Sequence, residues 1–136
     1  MTEKAVIDAQ VLFYFHYDYQ KIPIILQKLK KKVINGEITV ILPTIAIAEL
    51  LWKMRKKKKI TELKTAINRW ESSENIIIDN FDLDLIKLMI ENKESHELHD
   101  EIIAMTRRKH KTDIIYGTDE VFRQKFNLEL RSWKKS

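Results

Sequence analysis

No cysteine occurs among the 136 residues. That single absence removes disulfide frameworks, thiolate nucleophiles, cysteine-based zinc sites and iron–sulfur clusters together. Glycine and proline number two each, so a glycine-rich phosphate loop cannot be built. No GxxxxGK[ST] or GxGxxG occurs, which excludes the P-loop and dinucleotide-binding folds. No apolar run approaches the roughly 18–20 residues a membrane span needs. The first ten residues, MTEKAVIDAQ, carry charge where a secretory signal would be apolar, so the expected location is cytoplasmic. A chain of this length suits one domain.

What is present is charge, unevenly placed. Lys and Arg total 25 against 20 Asp and Glu, a formal net charge of +5, with 44% hydrophobic residues, ordinary for a globular chain. Lys53 is followed, after Met54, by Arg55, Lys56, Lys57, Lys58 and Lys59. Smaller clusters are Lys30–Lys32, the run Arg107, Arg108, Lys109, His110, Lys111, and Arg131 with Lys134 and Lys135. Any one run reads equally well as a solvated helix face. Four together point to a polyanionic partner. A membrane surface fits less well, because Trp and Phe are not interleaved with the basic residues.

Hydrophobic patterning alternates between strand and helix. Lys4–Asp8 is a short strand ending on a carboxylate. Val11–Val33 is helical, with Pro23 opening a second helix and Asn35-Gly36 stopping it. Ile38–Leu42 is a β-branched buried strand, followed by a helix for which Thr44 is the N-cap candidate. Its apolar positions are Ile47, Leu50, Leu51 and Met54. Thr61–Ser72 is another helix and Ile76–Ile78 another strand. Asp82 caps a helix whose expected inner face is Leu85, Ile86, Met89 and Ile90. Lys93–His99 is a connection, Glu101–His110 a helix, Ile114–Tyr116 a strand, Glu120–Lys125 a short helix and Leu128–Leu130 an edge strand. Arg131–Ser136 is expected as a frayed tail. Alternation of this kind predicts an α/β fold: a single domain over residues 1–136, with a short, mostly parallel central sheet covered by helices on both faces.

In open α/β sheets the site lies beyond the carboxyl ends of the strands. Four acids fall there. Asp8 ends the first strand, Glu49 lies early in the helix after the second, Asp100 opens the helix before the Ile114–Tyr116 strand, and Asp119 follows that strand. Glu62, Glu71, Glu74 and Glu91 belong to polar helix faces, and Asp82 and Asp84 to a helix start. Four carboxylates brought together repel one another, at about 4 kcal/mol per pair at 4 Å with an effective dielectric near 20. They either share protons or hold a cation. Oxygen-only ligands suit Mg²⁺ or Mn²⁺ and not zinc, and such sites beside basic surface hydrolyse phosphodiesters. Other signals weigh less. His96 and His99 lack further zinc ligands. Phe13, Tyr14, Phe15, Tyr17 and Tyr19 read as core or a dimer face before they read as base-stacking residues. Trp52 and Trp70 read as core or interface, and no framework activates a Ser or Thr nucleophile.

The segments AVIDAQVL, LPTIAIAELLWKM and LHDEIIAMTRRKHKTDIIYGTDEVF resemble the signature of PIN-domain ribonucleases, including the VapC-like toxins, over roughly residues 4–126. The resemblance implies that Asp8, Glu49, Asp100 and Asp119 form the catalytic and metal-binding set for Mg²⁺ or Mn²⁺. It implies hydrolysis of RNA to a 5′-phosphate and a 3′-hydroxyl. Arg55, Lys56, Lys57, Lys58, Lys59, Arg107, Arg108 and Lys111 would then hold the RNA backbone. It also implies a homodimer and an antitoxin partner. Ala9 and Gln10 stand where the family has a small hydroxyl residue and then Asn or Ser. Gly117 stands at the hydroxyl position before the last acid, with Thr118 adjacent, so Gln10 and Thr118 are the candidates to support the acids. The other readings are a PIN-fold RNA-processing nuclease without an antitoxin and a catalytically silent RNA- or protein-binding module.

Overall fold

Chain order alternates as the patterning predicts. In the computed structural model, residues 3–16, 22–92 and 97–133 are described. Strand β1 (Glu3–Ile7) leads into helix α1 (Ala9–His16) and helix α2 (Ile24–Ile34). Strand β2 (Ile38–Pro43) is followed by helices α3 (Thr44–Lys56) and α4 (Ile60–Glu71), then strand β3 (Ile76–Asp79). Helices α5 (Leu83–Glu91) and α6 (Leu98–Lys109) precede strand β4 (Ile114–Tyr116), short helix α7 (Val121–Gln124) and strand β5 (Glu129–Arg131).

The five strands form one sheet in the order β3-β2-β1-β4-β5, and every described pairing is parallel. Successive side chains of a strand face opposite sides, and the core divides accordingly. Ala5, Ile7, Ile38, Val40, Leu42 and Tyr116 pack toward α1 through α4. Val6, Ile41, Ile115 and Leu130 pack toward α5, α6 and α7. Near-continuous apolar strands are what a sheet buried on both faces requires. The chain passes from β1 outward through β2 to β3, then returns to β4 on the other side of β1. The C-terminal end of β1 is therefore the switch point at which an open sheet forms its crevice.

Helix ends show how few glycines suffice. Asn35 caps α2, and Gly36, at φ +74°, turns the chain back. The Gly36 N–H donates to Val33 O at 3.1 Å and the Glu37 N–H to Lys32 O at 2.8 Å, the paired bonds of a Schellman ending. Helices α3 and α6 end the same way with lysine in place of glycine. Lys58 (φ 58°) and Lys111 (φ 56°) hold the left-handed position, with Lys59 N–H donating to Met54 O and Thr112 N–H to Arg107 O, each at 3.0 Å.

Several expectations need correction. Thr44 does not cap α3; it is the first helical residue, Pro43 holds the cap position, and the Thr44 hydroxyl accepts from the Phe81 N–H at 3.2 Å. Asp82 does cap α5, accepting from Leu85 N at 3.0 Å. The buried face of α5 is Leu85 with Leu88 and Met89, while Ile86 and Ile90 are exposed. Helix α6 opens at Leu98 behind the cap residue Glu97, ahead of the expected start at Glu101, so Asp100 lies inside its first turn. Arg131 belongs to β5 and not to a frayed tail: it pairs with Glu3 and Glu129, each at 2.7 Å. Trp133 beyond it stacks edge-on against Tyr14, with ring centroids 5.4 Å apart. Trp70 is core, whereas Trp52 is exposed beneath the Lys56 ammonium, 3.6 Å from its ring centroid. Tyr17, Tyr19, His96, Lys134 and Lys135 lie outside the described residues, as does the side chain of Phe15.

Candidate active site

Asp8 follows β1 directly and is almost fully buried, at 8% exposure. Its backbone N–H still continues the sheet, donating to Tyr116 O at 3.2 Å. One carboxylate oxygen, Oδ1, accepts from the Gln10 and Val11 N–H groups at 3.0 and 3.3 Å, so the side chain also starts α1. The Thr118 N–H is a further donor to this carboxylate. These bonds favour the charged form, yet burial outweighs them, and with Glu49 nearby it pushes the Asp8 carboxyl up to about 6. Opposite stands Gly117. A methyl group built there would fall inside contact distance of Asp8 Oδ2 and 2.8 Å from Cγ. The glycine at the family's hydroxyl position is thus the space that the Asp8 carboxylate occupies.

Glu49 lies in the second turn of α3, half-buried, and burial raises its carboxyl against the favourable charges of His99 and Lys53. Asp100 lies in the first turn of α6. Burial raises it first, then the charges of Asp119, Glu97 and Glu49. Asp119 points one oxygen, Oδ1, at the Val121 N–H at 3.0 Å, opening α7. Repulsion therefore links all four acids in a chain: Asp8 to Glu49, Glu49 to Asp100, Asp100 to Asp119.

Oxygen-only donors, with the Asp8, Glu49 and Asp100 carboxyls raised first by burial and then by neighbouring acids, fit a hard divalent cation in chemistry and in sign. Their spacing is looser. Among the described residues no three acidic or histidine side chains are gathered closely enough to hold one ion. Glu49 and Asp100 lie on partly exposed helix faces, where side chains have rotamer freedom.

Three neighbours carry no sequence signal strong enough to mark them as parts of this site. Glu97 caps α6 through the Asp100 N–H at 3.0 Å and adds a fifth negative charge. The S/T/D/N rule for caps passes over it. His99 Nδ1 lies 3.8 Å from Glu49 and 3.7 Å from Glu97; its place beside Asp100 is the available hint. Lys53 sits one turn after Glu49 and donates to Gln10 Oε1 at 3.3 Å, so the Gln10 side chain faces a cation while its backbone N–H holds Asp8. Thr118 contributes its N–H to Asp8.

The long basic runs lie farther off. Lys56 and Arg107, the nearest members of the two runs within α3 and α6, lie about 10 Å along each helix from Glu49 and Asp100 at 1.5 Å rise per residue. Arg55 and Lys56–Lys59 are exposed. Arg107 pairs with Asp113 at 2.8 Å, and Arg108 approaches Glu91 at 4.0 Å.

Comparison with known proteins agrees with this architecture. The PIN domain family model matches residues 5–126, and no curated protein matches the sequence. Among solved structures, a chain of the Rickettsia felis VapBC2 complex bound to a promoter DNA fragment superposes with a TM-score of 0.70 at 18% identity, covering 96% of this chain and 99% of that one. Mycobacterium tuberculosis VapC20, a sarcin-ricin-loop-cleaving toxin, gives 0.66 at 11% identity, covering 93% and 98%. A Klebsiella pneumoniae toxin–antitoxin complex gives 0.64 at 13%, covering 93% and 95%. At these identities the likeness is one of fold, whereas the family match spans most of the sequence. The acids at the β1 switch point thus stand in a chain that belongs to the PIN domain family.

Proposed function

We propose that this protein is a metal-dependent endoribonuclease acting as the toxin of a toxin–antitoxin pair in the cytoplasm. The observation that carries the reading is the chain of mutually repelling carboxylates, Asp8 to Glu49 to Asp100 to Asp119, at the switch point of the sheet. Asp8, Glu49 and Asp100 would hold one Mg²⁺ or Mn²⁺, with Asp119 completing the site. The bound ion supplies an activated water and neutralises charge on the phosphoryl group in flight. The chain's own residues do the rest. Gly117 and the N–H groups of Gln10, Val11 and Thr118 fix the Asp8 carboxylate in one orientation. Glu49 on α3 faces Asp8, and Asp100 on α6, from the other face of the sheet, faces Glu49. Arg55–Lys59 after the middle of α3 and Lys111 beyond α6 are the proposed contacts of the RNA backbone farther from the acids.

The toxin part of the reading rests on the solved relatives, which include toxin–antitoxin complexes. An antitoxin is accordingly the proposed protein partner, and a homodimer the proposed assembly. The test incubates purified protein with a mixed RNA pool and Mn²⁺, Mg²⁺ or EDTA, beside Asp8→Asn. Cleavage in metal, lost in EDTA and in the variant, with 5′-phosphate ends, is the expected result. Cleavage that persists in Asp8→Asn rejects the site. RNA binding without cleavage under any metal favours the silent binding module. Co-expression with the product of an adjacent small reading frame tests the antitoxin: a stable complex that suppresses cleavage is expected.

A further inference from the structure

Lys53 differs from every other lysine of its run. It lies four residues after Glu49 on α3, so both side chains leave the same helix face, whereas Arg55 and Lys56–Lys59 lie on exposed turns farther along. It is partly buried. Its ammonium donates to Gln10 Oε1 at 3.3 Å and stands 5.1 Å from the centroid of the Phe13 ring. Both partners belong to α1, the helix that Asp8 starts. Two elements that carry acids of the site therefore also hold one cation between them.

The way it is held matters. Among the described residues its partners are a neutral amide oxygen and an aromatic face, neither of which cancels its charge. An ammonium has three donors, and the Gln10 bond uses one. A lysine whose role was to neutralise Glu49 would sit in ion-pair contact with it. Here the positive charge is close enough to favour the Glu49 carboxylate electrostatically yet keeps donors for an incoming group. An anion arriving over Asp8, Glu49 and Asp100 meets repulsion, and Lys53 is the cation in place to offset it.

From this geometry we infer that Lys53, oriented by Gln10 and Phe13, binds a non-bridging oxygen of the RNA phosphate at the acid cluster. The inference rests on the nuclease reading and names the side chain that receives the substrate there. Gln10, standing where the family has Asn or Ser, is in this view a positioning residue that steers the ammonium.

The test uses the intact protein with a short single-stranded RNA. Wild type, Lys53→Met, Lys53→Arg and Gln10→Ala are compared for RNA affinity across a salt series in EDTA and for cleavage kinetics in Mn²⁺, with circular dichroism as the check on folding. Loss of one phosphate contact on a single strand lowers the slope of log affinity against log salt by about 0.7. Lys53→Met should show that drop together with a loss of about 10²-fold in kcat/KM, and Lys53→Arg should restore the slope. Gln10→Ala should keep the slope and lose rate, because the charge remains but is no longer aimed. Wild-type slope and kcat/KM in a folded Lys53→Met protein would overturn the assignment while leaving the nuclease reading intact. Absence of RNA binding and cleavage by wild type would remove both.

Discussion

Two aspartates close parallel strands at the same level of the sheet, on either side of β2. Asp8 follows β1, and Asp79 ends β3, in register with Pro43. Both are buried, at 8% and 5% exposure. Their surroundings are opposite. Asp79 Oδ1 lies 3.0 Å from Lys109 Nζ and 2.8 Å from His110 Nε2. Lys109 also reaches Asp82 at 2.9 Å and holds that carboxyl below the usual range, while Asp82 and Asp79 raise Lys109 in return. Among the described residues the partners of the Asp8 carboxylate are N–H donors and an acidic neighbour, and its carboxyl is raised. At Asp79 the chain's own cations contact the carboxylate directly; at the acid cluster Lys53 and His99 stand near Glu49 without a close pair, and Asp8 faces Glu49. Strand-end position therefore selects both acids, and only the partner separates a structural carboxylate from a candidate catalytic one.

Exchanging function for stability at the two positions is the sharpest way to break this contrast. Asp8→Asn keeps the shape and the N–H partners, so cleavage should fall on the order of 10³-fold with no loss of stability at neutral pH. Asp79→Ala leaves Lys109 its Asp82 partner but removes the partner of the mostly buried His110, and should cost about 1–3 kcal/mol, with activity per folded molecule unchanged. Urea unfolding and single-turnover cleavage, measured on both variants, check the pair. Equal effects of the two substitutions on both readouts would dissolve the distinction.

Acid titration should run in opposite directions at the two regions. Asp8 has a folded value of about 6 against 3.8 for the free side chain. Between those values the folded state binds more protons than the unfolded one, so unfolding free energy falls as pH rises through this window. The gap between the two values is worth about 3 kcal/mol. Asp82, held low by Lys109, contributes stability above its unfolded value and loses it as pH falls. Unfolding curves from pH 4 to 7 without divalent ions should therefore show a decline that Asp8→Asn flattens. Mn²⁺ at pH 7 should return about 2.7 kcal/mol at a hundredfold excess over its Kd in wild type alone.

Much of this is legible in the sequence, and unevenly. The β-branched runs Ile38–Leu42, Ile76–Ile78 and Ile114–Tyr116 are strands within a residue of their expected bounds, because a strand buried on both faces has no polar alternation to confuse the reading. Motif order and spacing also identify the family, shown by the match over residues 5–126. Asp79 escapes such a reading, since Lys109 and His110 come from 30 residues away and pairing across that distance leaves no local mark. Helix α5 misleads because its apolar residues outnumber the positions the sheet can cover, so Ile86 and Ile90 face out. Arg131 reads as tail because its partner Glu3 is at the other end of the chain.

Gly117 looks like a departure from the family and is instead an accommodation. Gly117→Ala places its methyl against Cγ and Oδ2 of Asp8, and a carboxylate held by the Gln10 and Val11 N–H groups cannot move aside without straining them. Cleavage should drop about 10- to 100-fold, the range for disturbing groups that orient a metal ligand. The overlap should also cost about 1–3 kcal/mol of stability, so cleavage is compared per folded molecule. A fully active, folded Gly117→Ala protein would show that Asp8 does not need its present orientation.

The smallest expected effect lies beside the paired region. Lys111 follows His110 and holds φ 56° at the end of α6, a conformation that costs an L-residue roughly 1–2 kcal/mol. Glycine there removes the steric cost and adds about 0.5–1 kcal/mol of unfolded-chain entropy. Lys111→Gly should therefore stabilise the protein by about 0.5 kcal/mol, read as a rise in the urea midpoint at constant m-value. Its decisive readout is the acid limb of the pH profile. The bonds of His110 and Lys109 to Asp79 run between α6 and β3 and do not pass through the Lys111 turn. An unchanged limb places the cohesion of this region in the ion pairs themselves; a shifted limb makes the left-handed turn their support.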